Sequence, residues 1–163
     1  MPQEQKFRDL VARKKLVPIE KLIRDKRILF CEDSIVRGTQ LTDNIYMLFK
    51  EYGAKQVHMR PSCPPLTQGC KYLNFSRSRD EMDLAARRAI AEISKNDGIN
   101  YDVNDFNDEN GDLYHRMVEK VGKSLGLTGL EYQRMDDLIA SIGLPREKLC
   151  LGCWRETSCT GCK

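Results

Sequence analysis

The first third of the chain places apolar runs and a helical repeat in an order typical of parallel α/β proteins. Residues 27–31 contain the apolar run Ile28, Leu29 and Phe30, which predicts a buried strand. From position 40, apolar side chains recur at helical spacing, and Gly53 follows where such a helix ends. Residues 57–60 predict a second strand. Because strand, helix and strand follow one another so closely, we expect the two strands to be parallel.

Prolines and a helical face organise the next part of the chain. Three prolines between positions 61 and 65 exclude regular structure there, so residues 61–78 predict a loop. Residues 78–81 form a candidate capping box for a following helix. The apolar positions expected on one face of that helix are Met82, Ala86, Ala89, Ile90 and Ile93.

The last part of the chain predicts an exposed segment and two helices. Residues 95–112 are polar and acidic and predict a solvated loop, whereas 117–125 and 132–142 have helical patterns. The fold class predicted is α/β, with a partial parallel sheet and a helical, cysteine-bearing C-terminal segment. The expected divisions are residues 1–94, the acidic loop 95–112 and residues 113–163.

Composition narrows the class of protein. The 163 residues are 40 % hydrophobic and 31 % charged, as in ordinary soluble globular proteins, and a formal charge of +3 is too small to indicate a nucleic-acid partner. No apolar stretch is long enough for a membrane helix, and the first six residues do not resemble a signal peptide. We therefore expect no membrane partner and a cytoplasmic location.

An acidic pair and a short loop follow the first predicted strand. Carboxylates such as Glu32 and Asp33 can hold ribose hydroxyls or a divalent cation. The backbone N–H groups of the loop and of the helix start can hold a phosphate. An ordinary turn with solvated acids is the alternative, but two adjacent carboxylates without a partner would repel each other. A sugar phosphate satisfies both parts of the pattern.

Seven cysteines form the second unusual feature, and four of them lie in the last fourteen residues. Without a secretory signal, metal binding or catalysis is favoured over a disulfide framework. The pair Cys150 and Cys153 has the spacing of two thiolates on one metal, but Cys159 and Cys162 follow too closely for a zinc ribbon. Free cysteines in a mobile tail are the alternative. Cys31, inside the first strand, is expected to pack in the core.

The acidic pair and its loop resemble the phosphoribosyl-pyrophosphate signature of phosphoribosyltransferases, and most specifically that of the amidophosphoribosyltransferase family. Further matches to that family occur in order at 53–60, 63–65, 69–72 and 142–153, and residues 101–111 are the least similar. One difference is Glu32, where the family usually has aspartate. The residues that carry the signature are Glu32, Asp33, Ser34, Ile35, Val36, Arg37, Gly38 and Thr39.

The resemblance implies a site for phosphoribosyl pyrophosphate and Mg²⁺. It implies that Glu32 and Asp33 hold the ribose hydroxyls and the cation. The backbone from Ile35 to Thr39, with the Ser34 and Thr39 hydroxyls, would hold the 5-phosphate. Arg37 would be either a phosphate partner or a surface charge. The implied reaction forms 5-phosphoribosylamine from phosphoribosyl pyrophosphate and glutamine-derived ammonia, in the first step of purine synthesis.

The resemblance also implies the wider setting of the chain. Residues 1–94 would be the C-terminal half of a phosphoribosyltransferase core. Cys70, Cys150 and Cys153 would bind a 4Fe-4S cluster whose fourth ligand lies upstream. Purine nucleotides are possible inhibitors, and the full-length enzyme is expected to be a homo-oligomer. The glutaminase domain of the family is missing from this sequence, so we expect the isolated chain to be inactive.

Two other functions are compatible with parts of the sequence. A non-catalytic module could bind phosphoribosyl pyrophosphate or a nucleotide through the same loop, although the retained acidic pair favours the enzyme. A small cysteine-rich metal module could bind nucleic acid, but the near-neutral charge and the close spacing of the cysteine pairs argue against it.

Overall fold

The computed structural model describes residues 17–70 and 81–155. Positions 78–80 of the predicted capping box lie outside the described residues, as do Cys159 and Cys162. A short helix, α1 (Glu20–Ile23), precedes the sheet. The helices and strands below are numbered along the described part of the chain.

A parallel sheet forms the centre of the fold. Strand β1 (Arg27–Glu32) leads through a loop into helix α2 (Thr39–Lys50), and β2 (Gln56–Pro61) returns beside β1 in the same direction. In this register Ile28 lies opposite Val57, and Phe30 lies opposite Met59. The predicted α/β class and the predicted parallel pairing are therefore confirmed.

A third strand that the sequence pattern did not predict completes the described sheet. Strand β3 (Gly129–Leu130) pairs in parallel with β2, giving the order β1-β2-β3. The hydroxyl of Thr128 accepts a hydrogen bond from the N–H of Val57 at 3.0 Å, which extends the contact between β2 and β3 by one residue.

Three longer helices follow β2. Helix α3 (Ala85–Asp97) begins after a 3₁₀ turn at Glu81–Asp83, α4 spans Asp112–Ser124, and α5 spans Met135–Ile142. A 3₁₀ turn at Arg146–Lys148 comes last. Four of the five positions predicted on the apolar face of α3 are buried, but Met82 is exposed because it lies in the preceding turn. The last two helices exist as predicted with shifted starts.

The acidic segment is more closely packed than its composition predicts. A 3₁₀ turn at Val103–Phe106 is stabilised by a capping box between Asp102 and Asp105. The turn buries Phe106, which meets the ring of Tyr101 edge-on at 5.8 Å. Glu109 accepts a hydrogen bond from the N–H of Met135 at 2.8 Å and so places a carboxylate at the start of α5. The segment is an anchored connection rather than a fully solvated loop.

The core lies on one face of the sheet. Val57 and Met59 point into a single apolar cluster that also contains buried residues from α2, α3 and α4. The opposite face carries Leu29, which is 60 % exposed, and Cys31, which is also exposed. The prediction that Cys31 packs in the core is therefore wrong, because its place in the strand alternation puts it on the uncovered face. The division of the chain at residues 94 and 112 stays a prediction.

Membrane spanning is a separate structural question. Among the described residues, no helix combines the length and the apolar character needed to cross a bilayer.

Replacing Phe106 with alanine tests whether the acidic segment contributes to the core. Phe106→Ala should lower the free energy of unfolding by about 3–5 kcal/mol, because it removes a fully buried aromatic ring. Ile99→Ala is the control, since Ile99 is half exposed and its loss should change stability by less than about 0.5 kcal/mol. Urea denaturation followed by circular dichroism measures both. Equal stability of the two variants would contradict this packing.

Candidate functional site

The parallel register places the acidic pair at the carboxyl edge of the sheet. Glu32 is the last residue of β1 and lies opposite Pro61, and Asp33 follows directly. The N–H of Ser62 donates to the Glu32 carbonyl at 2.8 Å, and the Ser62 hydroxyl donates to the Asp33 carbonyl at 3.1 Å. Ser62 was not among the predicted site residues, and it fixes the backbone of both acids.

The two carboxylates have different surroundings. Glu32 is half-buried, and its side chain points to the same face of β1 as Ile28 and Phe30. Asp33 is exposed, and its carboxylate accepts a hydrogen bond from the N–H of Ser34 at 2.6 Å. Carboxylate oxygens are thus available at the edge of the sheet where α/β proteins bind ligands. They are oxygen ligands of the type that Mg²⁺ prefers.

The loop between the acids and α2 is anchored from within. Ile35 is buried in the core at 3 % exposure, while Ser34 and Val36 on either side are half-buried. Gly38 has φ of 76° and precedes the first residue of α2, and its carbonyl accepts hydrogen bonds from both the N–H and the hydroxyl of Thr42 at 3.1 Å.

Three successive amides of the loop remain available. In the part of the chain that the structure describes, the N–H groups of Arg37, Gly38 and Thr39 find no acceptor. Successive N–H groups at a helix start are the usual partners of a phosphate. The structure therefore brings together the acids and the amides that the sequence pattern predicted as one site.

Helix α4 restricts the loop at Gly38. A Cβ atom built on Gly38 would lie 2.5 Å from Cδ2 of Leu125, the residue that caps α4. Glycine is required there by the positive φ and by this close approach together.

The start of α3 holds the other side of the loop. The N–H of Ala85 donates to the Val36 carbonyl at 2.8 Å, and the Arg88 guanidinium donates to the Arg37 carbonyl at 2.6 Å. The Arg37 side chain forms an exposed ion pair with Asp83 at 3.4 Å. Both roles that the sequence left open for Arg37, phosphate partner and surface charge, stay predictions.

A second group of functional candidates lies in two segments that meet. One is the proline loop, residues 62–70 after β2, and the other is the C-terminal turn, residues 150–154. The carbonyl of Cys153 accepts hydrogen bonds from the N–H groups of Thr67 and Gln68 at 3.0 and 3.1 Å. The Thr67 hydroxyl donates to the carbonyl of Trp154 at 3.0 Å. These bonds bring the Cys150–Cys153 turn close to Cys70.

The thiols influence one another. The pKa of Cys153 is raised to about 11, chiefly by burial and to a smaller extent by the neighbouring thiols of Cys70, Cys150 and Cys63. Cys63 is itself buried, and this burial raises its pKa. Within residues 17–70 and 81–155, no three His, Cys, Asp or Glu side chains are grouped closely enough for a single metal ion.

Two orphaned donors flank these thiols. The side-chain N–H groups of Gln68 Nε2 and Trp154 Nε1 are buried without a hydrogen-bond partner among the described residues. The Trp154 indole lies near Cys63 but outside hydrogen-bonding geometry. Buried N–H donors require acceptors, and the sulfide or thiolate sulfur atoms of a metal group bound by cysteines would supply them. These two donors therefore suit an anionic acceptor bound beside the thiols.

The fold and the loop together define a class: a parallel α/β protein with a strand-to-helix loop at the carboxyl edge of its sheet. No protein-family model matches the chain. A chloroplastic amidophosphoribosyltransferase from Vigna aconitifolia is 42 % identical over 91 residues, which are 56 % of this chain and 18 % of that protein. An amidophosphoribosyltransferase from Methanocaldococcus jannaschii is 29 % identical over 149 residues, 91 % of this chain and 25 % of that protein.

Solved structures agree with this relationship at the level of the fold. The glutamine phosphoribosylpyrophosphate amidotransferase of B. subtilis, solved with ADP and GMP, matches with a TM-score of 0.59 and 22 % identity, over 96 % of this chain and 29 % of that one. The chain is related to the amidophosphoribosyltransferases, as its motifs predict. It spans only 18 % and 25 % of the length of these two curated relatives.

Replacing Gly38 with alanine tests how tightly the loop is restricted. Gly38→Ala should destabilise the protein by about 1–2 kcal/mol for the left-handed backbone and by about 1–3 kcal/mol more for the contact with Leu125. Gly98→Ala is the matched control. Gly98 has φ of 67°, but a Cβ there meets nothing within 4 Å, so it should show the backbone cost alone. Chemical denaturation measures the difference, and equal costs would show that Leu125 does not restrict the loop.

Proposed function

We propose that the chain is part of an amidophosphoribosyltransferase and carries one side of its phosphoribosyl-pyrophosphate site. The observation that carries this proposal is the juxtaposition of the Glu32–Asp33 carboxylates with the available N–H groups of Arg37, Gly38 and Thr39 at one edge of the sheet. One end of this site suits ribose hydroxyls and a cation, and the other suits a phosphate.

In the proposed reaction, ammonia attacks the anomeric carbon of the ribose. The new C–N bond forms as the bond to pyrophosphate breaks, pyrophosphate leaves with the electron pair, and a proton is lost from nitrogen. A transition state with oxocarbenium character needs positioning and exclusion of water more than acid–base catalysis. The sequence relationship to enzymes that carry this name supports the assignment.

The chain's residues would divide the work of binding. Glu32 and Asp33 would hold the ribose hydroxyls and Mg²⁺, which would offset the negative charge of the pyrophosphate. The backbone from Ile35 to Thr39, with the hydroxyls of Ser34 and Thr39, would hold the 5-phosphate. Since Glu32 is one methylene longer than the aspartate usual in the family, we expect it to contact ribose more readily than the cation.

The cysteines would form a separate centre in this proposal. Cys70, Cys150 and Cys153 would hold a 4Fe-4S cluster, and the buried donors of Gln68 and Trp154 would hydrogen-bond to its sulfur atoms. Such a cluster would join the proline loop to the C-terminal turn. Its role would therefore be to stabilise the fold beside the site.

Purine nucleotides are candidate ligands of the proposed enzyme. The B. subtilis structure is a complex with ADP and GMP, and a loop that holds a 5-phosphate would accept the phosphate of a nucleotide as well. A module that binds phosphoribosyl pyrophosphate or a nucleotide without catalysis is the second candidate, because the loop amides would hold a phosphate whether or not a reaction follows.

Calorimetric titration of the purified chain with phosphoribosyl pyrophosphate and Mg²⁺ tests the proposed site. Asp33→Asn should weaken binding by about tenfold, because it removes a charged partner of the ribose and the cation. Asp43→Asn removes the same charge from an exposed position on α2 and should bind as the parent does. Equal affinity of the Asp33 variant and the parent would contradict the proposal. Release of pyrophosphate on adding ammonia would identify an enzyme and would contradict the expectation that the isolated chain is inactive.

Anaerobic reconstitution with iron and sulfide tests the cluster. The parent chain and Cys31→Ser should become brown and retain equal amounts of iron, since Cys31 is exposed on the sheet face away from the core. Cys153→Ser should retain much less iron and show weaker visible absorption. Retention of one zinc ion in a colourless protein, or equal iron in the Cys153 and Cys31 variants, would contradict the assignment.

A further inference from the structure

Arg88 has an unusual set of partners for an exposed arginine. One of its nitrogens, Nη2, donates to the carbonyl of Arg37 at 2.6 Å. The other, Nη1, donates to the carbonyls of Asp83 at 2.7 Å and Met82 at 3.2 Å. The guanidinium therefore joins the loop after β1 to the turn before α3, which is far from it in sequence.

Two further contacts join the same segments. The N–H of Ala85 donates to the carbonyl of Val36 at 2.8 Å, and Arg37 pairs with Asp83 at 3.4 Å. Two consecutive carbonyls of the loop, those of Val36 and Arg37, are thus directed at the start of α3.

Because each peptide unit is planar and trans, holding these carbonyls also fixes the direction of the N–H groups in the same units. The C=O and N–H of one peptide unit point in opposite directions. The Val36 carbonyl shares its peptide unit with the N–H of Arg37, and the Arg37 carbonyl shares its unit with the N–H of Gly38. Holding both carbonyls toward α3 therefore turns these two N–H groups away from α3. They are among the amides for which the described residues supply no acceptor.

We infer that Arg88 is a positioning residue for the phosphate of the bound ligand. It does not touch the ligand. It holds the Arg37–Gly38 peptide in the orientation that presents its N–H to the phosphate of a sugar phosphate. This inference rests on the proposed function, because that function supplies the phosphate. The sequence analysis did not predict a role for Arg88. It lies fifty-one positions from Arg37, and the apolar pattern of its helix indicates only which residues are buried.

The geometry of the side chain explains why arginine occupies this position. The planar guanidinium carries five N–H donors in a fixed fork, so a single side chain can bind carbonyls on two segments at once. Lysine keeps the charge but offers a single nitrogen on a flexible stem. If positioning depends on the fork, Arg88→Lys should weaken phosphate binding nearly as much as Arg88→Gln does. If charge alone matters, lysine should restore binding.

Titration of the ¹⁵N-labelled full chain with ribose 5-phosphate, followed by NMR, tests the inference. In the parent, the amide signals of Arg37 and Gly38 should move on titration. In Arg88→Gln and Arg88→Lys the affinity should fall by about tenfold. Lys95→Gln is the matched control, because it removes one positive charge from the last turn of the same helix, where Lys95 is exposed. It should bind as the parent does.

A second measurement separates positioning from general damage to the fold. Mn²⁺, used in place of Mg²⁺, broadens the signals of residues near Glu32 and Asp33, and its affinity should be the same in all four proteins. The thermal midpoint of the free Arg88 variants should stay within a few degrees of the parent. Loss of Mn²⁺ affinity together with phosphate affinity would overturn the positioning role.

The remaining outcomes show whether the positioning role of Arg88 fails alone or together with the proposed function. If the parent shows no shift with ribose 5-phosphate, the proposed function fails and the inference fails with it. If the parent binds and Arg88→Gln binds equally well, the inference alone is overturned. Full affinity in Arg88→Lys would overturn the requirement for the guanidinium fork.

Discussion

The parallel pairing of β1 with β2 is the constraint on which the candidate site depends. It brings Glu32 opposite Pro61, so that the acidic pair and the proline loop begin at the same edge of the sheet. Ser62 then binds the carbonyls of both acids through its N–H and its hydroxyl. Without this register the acids would be ordinary solvated residues of a turn, and no fixed geometry would relate them to the loop amides.

The same register explains why the acidic pair and the cysteines lie side by side. The loop that leaves β2 carries Cys63 and Cys70, and its Thr67–Gln68 backbone holds the C-terminal turn through the carbonyl of Cys153. The negative charge of Asp33 contributes to the raised pKa of Cys63, after the larger effect of burial. The acidic site and the thiols are therefore electrostatic neighbours, although they come from different parts of the sequence.

Local patterns predicted the parts of the fold that local forces decide. The strand β1, the helical repeat of α2 and the loop between them all depend on residues close in sequence, and all three occur where expected. The prediction that β1 is a buried strand is wrong, because one face of the described sheet is uncovered and every second residue of β1 is exposed. Strand β3 has two residues, too few for any periodicity to reveal. Phe106 lies among acidic residues, so its burial follows from tertiary packing that composition does not indicate. The contact between Arg88 and Arg37 is of the same kind, because only the folded chain brings α3 to the loop.

A crystal structure of the chain with phosphoribosyl pyrophosphate and Mg²⁺ would test the central claim most directly. The account predicts the 5-phosphate within hydrogen-bonding distance of the N–H groups of Arg37, Gly38 and Thr39, and the ribose hydroxyls against Glu32 and Asp33. A ligand bound with its phosphate elsewhere, or with the acidic pair still facing solvent, would contradict it.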